Sequence, residues 1–178
     1  MFSDLETGNK PQSFSLKKHY QLRVRAVRLG VLQMAQNEYR LAATIRVRYS
    51  ETDKMGVVYN ANYLDWFEIA RTELCRAWGV PYAKWEDDGL ILPVVESRCR
   101  YKYPARYDDQ IQLWCRVSEI KIHSVTFEYR ILRAVDYKLI AEGWTKHACM
   151  NSEGRLYKKE HPFYLWMISS CSEDASDA

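Results

Sequence analysis

The chain has 178 residues, 47% of them hydrophobic and 28% charged, with a formal net charge of +3. That length suits one domain with tails and enough apolar residues to bury a real core, and no apolar run reaches the ~18 residues of a membrane span. The five cysteines (Cys75, Cys99, Cys115, Cys149, Cys171) are odd in number and form no Cys-x-x-Cys, so they read as reduced thiols of a cytoplasmic protein, mostly packing.

Residues 1–40 differ from the rest. Thr7 to Asn37 holds no acid but six cations (Lys10, Lys17, Lys18, Arg23, Arg25, Arg28), so the remainder of the chain sums to −3. A transit peptide, a basic patch for nucleic acid or membrane surface, and a poorly ordered or packing extension compete for this stretch. The plain extension is preferred, because Asp4 and Glu6 weaken the first reading and Met34 would make a native start. The expected domain spans 41–165, with an acidic tail over 166–178.

Thr44 to Tyr49 alternates and reads as a strand. A Gly-containing loop with one lone carboxylate, Asp53, follows. Leu64, Phe67, Ile69, Ala70, Leu74 and Trp78 then recur at spacings near three and four, the apolar stripe of a helix over Tyr63 to Trp78. Asn60 or Asn62 can cap its start, with Asp65 three residues past Asn62, while Gly79 fits the left-handed stop and Pro81 follows. Pro81 to Gly89 suggests one or two helical turns with a solvated acid cluster.

From Leu90 the period changes to two. Val95, Ser97, Cys99, Tyr101 and Tyr103 share one face, with Glu96, Arg98, Arg100 and Lys102 on the other. Further strands begin at Ile111, Val125 and Leu139, the last running to Met150, with a turn at Asp136 to Lys138. Four strands at hairpin spacing argue for an antiparallel sheet, and one long helix against it gives an α+β layer. Asn151 to Gly154 is a turn, His161 to Tyr164 starts a short terminal helix, and Ser169 onward reads as disordered.

Certain chemistries lack their signals. There is no Gly-x-Gly-x-x-Gly and no P-loop, and His19, His123, His147 and His161 lack metal-ligand spacing, so neither a metal nor a cofactor is expected. His147 and Cys149 are two apart on a strand, which makes them neighbours on one face rather than a catalytic pair.

The run Arg48-Tyr49-Ser50-Glu51-Thr52-Asp53-x-x-Gly56-Val57-Val58-Tyr59-x-x-x-Tyr63, followed by Phe67-Glu68-x-Ala70-Arg71, resembles the hot-dog-fold acyl-CoA thioesterases, nearest the 4-hydroxybenzoyl-CoA thioesterase branch and its Tol-Pal-associated relatives. The resemblance covers roughly Thr44 to Pro162. It implies a sheet wrapped around one long helix, hydrolysis of an acyl-CoA to free acid and coenzyme A, and no cofactor beyond the coenzyme A of the substrate. It also implies a homodimer or homotetramer paired edge to edge, with the acyl site between protomers.

Thioester hydrolysis fits these residues. The leaving thiol, with a pKa of about 8.5, departs without much help from an acid. The reaction needs an attacking oxygen, which Asp53 can supply as general base or as nucleophile. It also needs donors for the developing oxyanion, which backbone N–H groups at a helix N-terminus supply at about 3 kcal/mol each. The resemblance assigns the backbone N–H at Asn60 to the thioester carbonyl. Tol-Pal-associated members carry His at that position; an Asn side chain is no base, but the backbone donor survives. The resemblance also places Ser124 beside the substrate pocket, and Tyr59 and Tyr63 are candidate substrate contacts although tyrosines there more often pack. Arg98, Arg100, Lys102, Lys121 and Arg130 are the basic candidates for coenzyme A phosphates. Glu68 reads as a surface partner of Arg71. The competing reading is a catalytically silent hot-dog protein that binds acyl groups or serves assembly. No nucleic-acid partner is expected.

Overall fold

The computed structural model describes residues 38–173, with side chains through 167. The whole of the basic stretch, Met34 included, lies outside the described residues, as does the last part of the tail. The fold already includes Tyr39 and Arg40, ahead of the expected boundary at 41. Tyr39 donates to Glu128 Oε2 at 3.0 Å, and strand β1 (Arg40–Arg46) starts next. β1 therefore begins earlier than the alternation from Thr44 suggested and ends before Tyr49, where Tyr49–Glu51 tightens into a 3-10 turn.

Helix α1 (Asn62–Ala77) is followed by α2 (Tyr82–Asp87) and the short strand β2 (Leu90–Ile91). The main strands are β3 (Val94–Tyr101), β4 (Gln110–Lys121), β5 (Ser124–Arg133) and β6 (Lys138–Ala148). The short strand β7 (Met150–Asn151) pairs with β2, and α3 (Pro162–Glu173) closes the described chain. The five main strands are antiparallel in the order β1-β4-β5-β6-β3. β3 thus pairs with β6 and not with its sequence neighbour β4, so the segment 102–109 crosses two strands rather than turning a hairpin. Even-numbered positions of β3 (Arg98, Arg100) face away from the helix together with Trp144 and Glu142 of β6, as the alternation expected.

Helix α1 lies across the sheet, about 24 Å long at 1.5 Å per residue. Tyr63, Trp66, Phe67, Ala70, Leu74 and Cys75 are its buried face. Leu64, expected on the stripe, is exposed; the stripe is rotated by one position toward the tyrosine and tryptophan. The helix stops as expected: Gly79 has φ +81°, its N–H donates to Arg76 O at 2.9 Å, and Val80 N–H reaches Cys75 O at 3.2 Å. Its start departs from expectation. The N-cap is Ala61, in helical conformation with no side-chain cap, so neither Asn60 nor Asn62 caps the helix.

The core is aromatic. Phe67 stacks on Tyr129 with ring centroids 4.2 Å apart and 7° between planes. Cys75, Cys115 and Cys149 are buried; burial pushes the Cys75 and Cys149 thiols up to about 12 and raises Cys115, so they pack rather than react. Helix α3 docks through Phe163 and Trp166 onto Trp85 and Trp78. It runs to Glu173, across the expected boundary at 165, so the first part of the expected tail is helical; its first two turns bury Phe163 and Met167. His161 caps α3: its Nδ1 accepts from the Tyr164 N–H at 3.1 Å while Nε2 donates to Lys121 O at 3.3 Å.

Candidate active site

The loop between β1 and α1 is folded on itself. Thr52 bridges to Val58, and Asp53 N–H donates to Val57 O at 2.9 Å. Gly56 N–H returns to Asp53 O at 2.9 Å, a turn for which Gly56 takes φ +69° without side-chain strain. One carboxylate oxygen of Asp53 accepts the Met55 N–H at 2.8 Å. Among the described residues no donor meets the second oxygen of the half-buried Asp53.

The loop enters the helix through Tyr59 to Ala61. Tyr59 N–H donates to Glu51 O at 2.9 Å, and Asn62 N–H donates to Tyr59 O at 3.0 Å. Asn60 lies between them. Among the described residues its amide donates to no carbonyl, while its own carbonyl accepts the Tyr101 hydroxyl at 3.0 Å. A free N–H stands at the positive end of a sixteen-residue helix, as carbonyl polarisation requires. Burial raises the Tyr101 phenol above its ordinary pKa, so at neutral pH it is protonated and can donate.

A cavity of about 270 Å³ opens beside this amide, walled by Val57, Val58, Asn60, Tyr63, Tyr101 and Tyr103 among others. Tyr63 is buried and meets Tyr101 edge to face at 5.1 Å. Asp53 and Tyr59 lie on the same loop but outside the cavity wall, and the Tyr59 side chain is exposed.

The rest of the loop is anchored by a residue that the sequence reading passed over. The Glu51 carboxylate is buried. Its Oε2 accepts the Arg48 N–H at 2.7 Å, and Oε1 accepts Arg48 Nη2 at 3.1 Å and the Trp66 indole N–H at 3.3 Å. Burial works against its charge, but these three donors outweigh it and hold the carboxyl below the usual range. Its backbone carbonyl takes two more donors, Tyr59 N–H and Asn62 Nδ2 at 2.7 Å. The Arg48-x-x-Glu51 spacing was the available signal.

The profile of the thioesterase-like superfamily matches residues 47–170, from the foot of this loop into α3. The chain belongs to that superfamily. It is accordingly a thioester hydrolase of the hot-dog fold, α+β, with the sheet laid around α1. Over 108 residues it is 34% identical to the acyl-CoA thioesterase YbgC of Haemophilus influenzae, a match taking in 60% of this chain and 78% of that protein. The crystal structure of the hypothetical protein TT1821 from Thermus thermophilus superposes with a TM-score of 0.66 at 33% identity, covering 72% of this chain and 97% of the other. The DHNA-CoA thioesterase from Staphylococcus aureus gives 0.67 at 27% identity, covering 78% and 91%.

Within this thioesterase-like chain the remaining candidates separate. Ser124 is buried at the first residue of β5. Ile131, seven residues or about 23 Å further along β5, pairs with Ala141, which pairs with Tyr101. One protomer therefore does not bring Ser124 to Asn60. Of the basic candidates, Lys102 borders the cavity and pairs with Glu142 at 2.9 Å. Lys121 pairs with Glu119, the Arg130 guanidinium lies over Tyr39, and Arg98 and Arg100 project from the outer face. Arg106, not among the candidates, lies against the turn: its Nη1 is 3.9 Å from where a Cβ on Gly56 would stand. His147 and Cys149 form no dyad, because both His147 nitrogens are committed elsewhere. Glu68 is exposed and pairs with Arg71 at 3.4 Å. No helix among the described residues is long and apolar enough to cross a membrane.

Proposed function

We propose that this protein hydrolyses an acyl-CoA thioester, with Asp53 as general base or nucleophile and the Asn60 N–H polarising the thioester carbonyl. The observation that carries the reading is the uncommitted Asn60 amide at the N-terminus of α1, on the same folded loop as a carboxylate with one open oxygen. A thiolate leaving group needs no strong acid, so the missing histidine in the loop is no obstacle. The names of its relatives, acyl-CoA thioesterase and DHNA-CoA thioesterase, and the run from Arg48 to Arg71 support coenzyme A as the carrier, in the neighbourhood of the 4-hydroxybenzoyl-CoA and Tol-Pal-associated branch. Lys102 and Arg106 flank the loop and suit its phosphates.

The working unit is a homodimer joined through β3. Among the described residues that strand has β6 on one side only, and it exposes Val94, Val95 and Tyr101. Antiparallel pairing of two β3 strands turns the far end of the partner sheet, with its Ser124, toward the Tyr101 end of the first.

The test is release of free thiol from a panel of acyl-CoAs, wild type beside Asp53→Asn. Turnover should fall by about a hundredfold or more in the variant. Equal rates would remove Asp53 from the chemistry.

A further inference from the structure

The distance between Asp53 and the Asn60 amide is set by a span of seven residues whose two ends meet on Glu51. Glu51 stands two residues before Asp53. Its carbonyl holds Tyr59 N–H, one peptide before the Asn60 amide, and Asn62 Nδ2, one residue inside α1. Its carboxylate is locked from below by the Trp66 indole of the same helix and from behind by the Arg48 backbone and guanidinium. All five donors converge on one side chain and one carbonyl. The loop can therefore not change the separation of acid and oxyanion donor without breaking one of them.

We infer that Glu51 is a positioning residue of the active loop, a buried carboxylate that fixes Asp53 and the Asn60 amide in register for reaction without itself touching substrate. The inference rests on the function proposed above. Its chemistry is specific to a carboxylate. Both oxygens face only N–H donors, so an amide in either orientation turns its NH₂ against one of them. The shape is retained and the tie is lost.

Glu51→Gln in the full-length protein makes the test, with kcat and KM measured from pH 4 to 9 alongside Asp53→Asn and a melting curve of each. A positioning role predicts a kcat lower by about ten- to a hundredfold, the size of a displacement near 1 Å in a reacting geometry, with KM changed less than threefold. It also predicts that the acid limb of the pH profile keeps its wild-type midpoint while the plateau drops. Loss of that limb would make Glu51 the base itself and overturn the inference, as would an unchanged kcat. If Glu51→Gln does not fold, Trp66→Phe, which removes the indole donor from Glu51 Oε1 and leaves the carboxylate in place, carries the test: a fall in kcat at constant KM upholds it and full turnover overturns it. An active Asp53→Asn would sink the proposed chemistry instead, whatever Glu51 does.

Discussion

His147 is buried on β6 against the chain at Leu92, and its hydrogen bonds leave one tautomer. Leu92 O can only accept, so Nδ1 carries the proton and donates to it at 2.8 Å; Nε2 accepts the Thr145 hydroxyl at 2.8 Å. Thr145 in turn accepts the Tyr129 hydroxyl at 2.6 Å. A second proton on the ring would break this chain in the core. Burial lowers the His147 pKa to about 4, against about 6.5 for the unfolded chain. The folded state binds fewer protons, so the neutral ring's contribution is whole above pH 6.5 and is lost progressively from there down to about 4, where the penalty levels off at roughly 3 kcal/mol. Thermal unfolding between pH 7 and 4 should therefore fall more steeply for wild type than for His147→Gln. A parallel pair of curves would count against the assignment. None of this was legible in the sequence, where His147 is an ordinary residue on an alternating strand. Glu51 was hidden for a similar reason, since its partners Trp66 and Asn62 meet it only after the loop folds back on the helix.

At the scale of elements, periodicity located the helix and the four long strands to within a few residues, because each has one buried face. It could not reveal that β3 lies against β6, since alternation carries no pairing partner. Nor could it give the helix start, where Asn62 spends its side chain on Glu51 and leaves the cap to backbone geometry. Gly143 shows what the packing demands. It sits on β6 where Phe67 of α1 presses closest to the sheet; an added Cβ would meet the Arg98 carbonyl of β3 and come within 2.9 Å of the Phe67 ring. The helix can stack on Tyr129 only because this position is empty. Gly143→Ala should cost about 1–3 kcal/mol, read from denaturant unfolding, as overpacking does elsewhere. A neutral result would mean that β3 shifts freely.

At the scale of the whole molecule, the two edges of the five-stranded sheet among the described residues, β1 and β3, are not equivalent. Tyr39, gripped by Arg116 and Arg130 and bonded to Glu128, packs at the start of β1. Among the described residues β3 is bare on its outer side, with Val95 59% exposed. Val95→Asp should convert a dimeric species in sedimentation or light scattering to a monomeric one, through an unpaired charge in the new strand pair. A wild type already monomeric at micromolar concentration would end the dimer proposal.

The hydroxyl that holds the Asn60 carbonyl belongs to this same bare strand. On the proposed chemistry, fraying at that border loosens the peptide that polarises the carbonyl, and turnover should then depend on how crowded the solution is. Progressive dilution should lower turnover per polypeptide, and adding back inactive Asp53→Asn chains should restore part of it.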